Sequence, residues 1–202
     1  MKIICIGRNY RDHAAEMNAE VPTEPVFFIK PDTAVLKDNT FYFPSFTSEI
    51  HYECELLVKI DRMGKHIDPA FAPKYYSSIG LGIDFTARDL QSRCKDKGLP
   101  WEIAKAFDQS AVLSNHWISK DGINPNSVSF DFYQNGMLKQ SGDTANMLFT
   151  IDQIIAYVSK FITLKTGDVI FTGTPAGVGP IKPGDKLVGR LLGKEMFSID
   201  VA

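Results

Sequence analysis

Two glutamates one residue apart, Glu53 and Glu55, sit in the run His51-Tyr-Glu-Cys-Glu-Leu-Leu-Val-Lys-Ile60. An extended strand sends alternate side chains to opposite faces, so both carboxylates leave one face and Cys54 the other. Like charges held this close call for a cation, and the apolar Leu56, Leu57, Val58 and Ile60 that follow suggest a strand rigid enough to aim both oxygens at one hard divalent ion. A solvated pair on an amphipathic strand is the competing reading, because glutamate is mostly exposed.

A third acid comes from further along the chain. Ile79-Gly-Leu-Gly-Ile83 reads as a buried strand that ends at Asp84, and a helix follows. Thr86-Ala-Arg-Asp89 has the spacing of a capping box for that helix, with Gly98 and Pro100 as its stop. Three carboxylates without an intervening His or Cys ligand suit Mg²⁺ or Mn²⁺ better than zinc. His51 shares the Glu53 face and competes as a ligand or as a partner of one, while Cys54 would have to reverse its orientation to bind.

The elements that must position these acids are short. A strand near Lys2 to Ile6 leads into a helix over Gly7 to Met17 carrying His13 and Glu16. The segment from Asn18 to Pro25 breaks that helix with two prolines and is placed to act as a lid before the strand Val26–Lys30. Ser127 to Tyr133 alternates strictly and meets Asn135-Gly136, a strong hairpin signal. Thr150-Ile-Asp-Gln153 opens a second capping box. Ile151, Ile154, Ile155, Val158, Phe161 and Ile162 follow on one helical face. Short strands with Gly/Pro turns after Gly167 point to a rolled sheet, so the fold class expected is α+β, mostly β, as a single domain over residues 1–202.

Composition narrows the partner. The 202 residues carry a net charge of -2 and 44% hydrophobic residues, which gives no basic field for nucleic acid and no surface for anionic membranes. Cys5, Cys54 and Cys94 are odd in number and lack CxxC spacing, as expected of reduced thiols in a cytoplasmic protein. The Thr172 to Gly179 run lacks the GxxxxGK[ST] pattern, and Pro175 and Pro180 remove backbone donors, so it does not read as a phosphate loop. A small-molecule partner is the expectation that remains.

Taken in order, Gly7-Arg-Asn-Tyr10, His13 with Glu16, Phe28-Ile-Lys-Pro31, His51 to Glu55, Gly82-Ile-Asp-Phe-Thr-Ala-Arg-Asp89, Lys97-Gly-Leu-Pro-Trp101, Ala104-Lys-Ala-Phe107 and Thr172 to Gly179 resemble the fumarylacetoacetate hydrolase superfamily over nearly the whole chain. The likeness is to its short members, the acylpyruvate hydrolases and oxaloacetate decarboxylases. The resemblance implies a mixed β-roll, usually a homodimer, with Glu53, Glu55 and Asp84 holding Mg²⁺ or Mn²⁺. It makes His13 and Glu16 a water-activating dyad and Lys105 the residue that meets developing negative charge. Arg8, Lys30, Arg88, Gln91 and Thr174 then surround a bound 2-keto acid. The activity expected first is hydrolysis of an acylpyruvate to pyruvate and a carboxylate. Oxaloacetate decarboxylation, keto-acid tautomerisation and binding without turnover stand as alternatives at the same site.

Overall fold

The computed structural model describes residues 1–16 and 20–202. Met17, Asn18 and Ala19, and with them the first part of the expected lid, lie outside the described residues.

Among the described residues three sheets curl around one another. The largest runs in the order β2 (Val26–Lys30), β1 (Ile3–Gly7), β12 (Val169–Phe171), β5 (Cys54–Ile60), β6 (Tyr76–Asp84) and β8 (Ala111–Val112), with β9 (Ile118–Ser119) also paired to β6. A second has the order β11 (Met137–Asp143), β10 (Ser129–Gln134), β14 (Lys186–Leu191), β15 (Lys194–Val201) and β3 (Thr40–Phe41). The third joins β13 (Gly179–Pro180), β4 (Ile50–Tyr52) and β7 (Thr86–Ala87). The α-helices of the described residues, α1 (Arg11–Glu16), α2 (Arg88–Lys97), α3 (Glu102–Lys105) and α4 (Ile151–Phe161), pack around them. This mixed, mostly β roll is the architecture expected from the turn-rich sequence. No helix among the described residues is long and apolar enough to cross a membrane.

The apolar run of β5 follows from burial on both faces. Cys54, Leu56, Val58 and Ile60 enter the main core with Ile79, Leu81, Ile83 and Phe197, whereas Leu57 enters a smaller core with Ile3, Cys5 and Phe171. Glu55 shares the Leu57 face by the two-residue repeat. In β6 the same alternation puts Gly80 and Gly82 on that second face, with Asp84 at its end. A Cβ on Gly82 would lie 2.2 Å from the Val112 carbonyl oxygen, so glycine is what lets β8 close against β6.

Several local signals are realised. Asn135 and Gly136 both adopt positive φ, 53° and 78°, the type I′ geometry that joins β10 to β11. Thr150 and Gln153 form their reciprocal capping box. Ile151, Ile154, Ile155 and Val158 are buried, but Phe161 on the same expected face is 59% exposed at the helix end, its ring set against those of Phe27 and Tyr157. The cysteines are free and buried.

The capping box expected at Thr86 is not formed. Residues Thr86 and Ala87 are drawn into β7 by pairing with His51 and Ile50, and α2 starts at Arg88 without a side-chain cap. The Asp89 carboxylate instead accepts from Thr47 Oγ1 and the Ser48 amide.

Candidate metal and active site

The predicted strand carrying the two glutamates is interrupted at the first of them. Glu53 lies between β4 and β5, where the chain leaves the three-stranded sheet for the seven-stranded one, and its carbonyl accepts the Asp84 amide at 2.8 Å. Register then places Glu55 beside Gly82. One ligand oxygen from each of Glu53, Glu55 and Asp84 falls within 4.8 Å of the other two, and all three residues are buried. The two glutamates therefore converge on one side despite the break.

Cations and amides surround these acids. The Lys105 ammonium, brought in by the short helix α3, donates to Glu53 Oε2 and Asp84 Oδ2 at 2.8 Å each and to Thr86 Oγ1 at 2.6 Å. Arg88 donates to Glu53 Oε1 at 2.7 Å and to Gln91 Oε1 at 2.7 Å. Glu55 receives the Gly173 amide at 2.6 Å. Asp84 Oδ1 faces the Lys30 ammonium at 2.8 Å in an ion pair whose angle falls short of a hydrogen bond, so it keeps a buried lone pair without a donor. An all-oxygen donor set with one such open lone pair fits a hard divalent ion.

Electrostatics divide the trio. For Glu53, burial pushes the carboxyl up, but Lys105 and Arg88 outweigh it and hold it far below the usual carboxylate range. Burial and then the negative Asp84 and Glu53 push Glu55 well above that range. Burial works against the Lys105 ammonium, yet Asp84 and Glu53 hold it up at about 12. Glu55 thus marks a surplus of negative charge that Lys105 alone does not satisfy.

His13 and Glu16, one turn apart on α1, meet at 3.3 Å through Nδ1 and Oε2, and Glu16 also accepts the Gly177 amide at 3.1 Å. His13, Arg8, Arg88, Gln91 and Thr174 line the same narrow cavity as the three acids and Lys105. Its free volume of about 40 Å³ holds about three water molecules. Thr174 Oγ1 is anchored, donating to the Cys54 carbonyl and accepting from Gln140, both at 2.8 Å.

Two expected participants sit elsewhere. Lys30 is fully buried behind Asp84, where its ammonium donates to the carbonyls of Phe85, Ser110 and Lys105. It braces the site from beneath and does not line the cavity. His51 turns to Glu49 at 2.8 Å and is absent from the acidic cluster. Burial and the nearby Arg88 lower its pKa. Conversely, Lys95 lines the cavity without having been singled out by sequence, and Trp101, marked only as the end of the Lys97–Trp101 motif, lines it too. The spacing of Arg88, Gln91 and Lys95 on one helical face was the signal for Lys95.

A curled mixed roll that buries a carboxylate trio beside a lysine and a His–Glu pair defines a class of enzyme site whose acids could hold a metal ion. Residues 2–195 match the fumarylacetoacetate (FAA) hydrolase C-terminal family, and the chain belongs to it. It is 42% identical over 193 residues to a mitochondrial oxaloacetate tautomerase of Bos taurus, covering 95% of this chain and 87% of that protein. It is 43% identical over 186 residues to a mitochondrial oxaloacetate decarboxylase of Dictyostelium discoideum, covering 91% and 85%. Among solved structures, the fumarylpyruvate hydrolase of Pseudomonas aeruginosa in complex with Mn²⁺ and pyruvate superimposes with a TM-score of 0.94 at 34% identity, covering 100% of this chain and 89% of that one.

Proposed function

We propose that this protein is a Mg²⁺- or Mn²⁺-dependent enzyme that interconverts the keto and enol forms of a 2-keto acid of the oxaloacetate type. The observation that carries this reading is the buried trio Glu53, Glu55 and Asp84 within one cavity shared with Lys105 and His13. Acylpyruvate hydrolysis, the activity expected first from the sequence, yields to it. Relatives at 42% and 43% identity are named for oxaloacetate chemistry, whereas the named hydrolase stands at 34%.

Glu53, Glu55 and Asp84 would hold the ion, which when bound draws electron density from the 2-keto oxygen and so acidifies the neighbouring methylene. His13, with Nδ1 engaged by Glu16, has no hydrogen bond at its other ring nitrogen among the described residues, and that nitrogen takes a proton from C3 and returns it to the 2-oxygen. The Glu16 carboxylate, 3.3 Å from Nδ1, orients the imidazole. Lys105 steadies the 2-oxygen as it gains negative charge, with its ammonium already fixed by two carboxylates. Arg88 and Gln91 orient the substrate carboxylate, and Thr174 closes the opposite wall. Decarboxylation of the same acid is the second reading, favoured by the Dictyostelium relative; there the C3–C4 bond breaks, CO₂ leaves and the enolate of pyruvate is formed with its charge at the same 2-oxygen, so no base is needed at C3.

Following the enol absorbance of oxaloacetate and the release of pyruvate in parallel tests the assignment. Wild-type protein with Mg²⁺ or Mn²⁺ should consume enol-oxaloacetate. His13→Ala should lose roughly 10²- to 10⁴-fold of that rate, the usual contribution of a positioned base. Cleavage of acetylpyruvate or fumarylpyruvate with a higher kcat/KM than tautomerisation would restore the hydrolase reading. Tautomerisation unaffected by chelator would refute the metal-assisted scheme.

A further inference from the structure

Arg88, Gln91 and Lys95 occupy positions i, i+3 and i+7 of α2, and that spacing lines them along one face. All three border the cavity that holds the acidic trio. Arg88 is already committed, to Glu53 and Gln91. Lys95 is not: among the described residues no carboxylate lies within ion-pair distance of it, and its ammonium rests 5.6 Å from the Trp101 ring centroid at the cavity wall.

Arg8 faces the same space from the end of β1. It too has no carboxylate partner among the described residues, and its backbone is left-handed at φ 58°, a conformation non-glycine residues rarely adopt. Such strain persists where the surrounding structure imposes it, and it gathers at ligand sites. Burial, then the positive Arg88 and Arg8, lower the Lys95 pKa, so these cations crowd one region. With a divalent ion on the acids, the cavity carries more positive charge than a single keto-acid carboxylate neutralises. A lysine in the last turn also complements a helix end, but Lys97 offers that without bordering the cavity.

We propose that Lys95, assisted by Arg8, is a subsite for the remote carboxylate of a dicarboxylic 2-keto acid, selecting such acids over those with an uncharged tail. This rests on the keto-acid reading of the site and names the feature that chooses among keto acids. Arg88 and Gln91 address the end of the substrate nearest the metal ligands, and Lys95, two turns along the helix, addresses the far end.

Malate and lactate test it, since both keep a carboxylate and a 2-oxygen, neither enolises, and only malate has the second carboxylate. Calorimetry on the Mn²⁺-loaded wild type should show malate binding more tightly than lactate. Lys95→Met should weaken malate roughly tenfold, the scale of one charge-assisted contact at a half-exposed group, and leave lactate unchanged. Lys95→Arg should restore malate binding and Lys97→Met should change neither. In turnover, Lys95→Met should lower kcat/KM for oxaloacetate by a similar factor while sparing acetylpyruvate. Equal loss for both ligands, or no loss for either, overturns the subsite. A wild type that binds lactate but shows no preference for malate overturns the subsite alone. A wild type that binds neither overturns the keto-acid reading with it.

Discussion

Glu55→Gln is the sharpest probe of the acidic cluster, because it removes charge while keeping shape. The Gln carbonyl oxygen can keep the 2.6 Å bond from the Gly173 amide, and its NH₂ group can donate to the oxygens of Glu53 and Asp84 that now crowd it. Without metal the variant should therefore be at least as stable as wild type. With metal the order should reverse. An ion at about one hundred times its Kd stabilises the folded wild type by about 2.7 kcal/mol. In a domain of this size that amounts to about 5–10 °C in Tm, and the variant should gain little of it. The pH dependence carries the same sign. Glu55 is raised in the folded state, so the unfolded chain gives up that proton first. Metal-free stability then falls as pH climbs above the unfolded carboxyl value of ~4.3 toward the raised folded one. Glu55→Gln should flatten that fall. Thermal melts across pH in chelator and in excess MnCl₂ measure all three effects. A variant that gains as much from metal as wild type, or that is destabilised by about 2 kcal/mol or more in chelator, the scale of an ordinary disruptive mutation, would refute the reasoning.

Lys30→Met should be among the most damaging single changes, because it strips a buried cation from Asp84 and donors from the carbonyls of Phe85, Ser110 and Lys105. Loss of about 3–5 kcal/mol in denaturant unfolding is expected, and a loss under about 1 kcal/mol would remove Lys30 from its bracing role. Gly82→Ala should cost about 1–3 kcal/mol through overpacking, since the added methyl meets the Val112 carbonyl. It should also weaken Mn²⁺ binding in a titration by shifting the strand that ends at Asp84, and unchanged metal affinity would argue against that coupling.

Much of the site was legible because its information is local. Period-two alternation placed Glu53 and Glu55 together with Cys54 turned to the core, and the end of an apolar strand marked Asp84. Asn135-Gly136 and Thr150–Gln153 carried their turn and cap chemistry in the residues themselves. What sequence missed was decided by partners distant in the chain. Thr86 looked like a cap, but its backbone pairs with His51 and its hydroxyl serves Lys105. The resemblance put Lys30 around the bound keto acid, yet carbonyls 55, 75 and 80 residues away enclose it. His51 seemed to share the Glu53 face, but the break between β4 and β5 turns it to Glu49.

That break has a mechanical consequence. Glu53 sits on the seam between two sheets, Glu55 belongs to one of them, and Asp84 closes the strand just before the chain crosses back into the other. An ion gripping all three would act as a rivet through the joint. Loading the site would stiffen the hinge line of the whole roll, and slowed exchange of the Asp84 amide, donated across that line to Glu53, would report the clamping long before any chemistry begins.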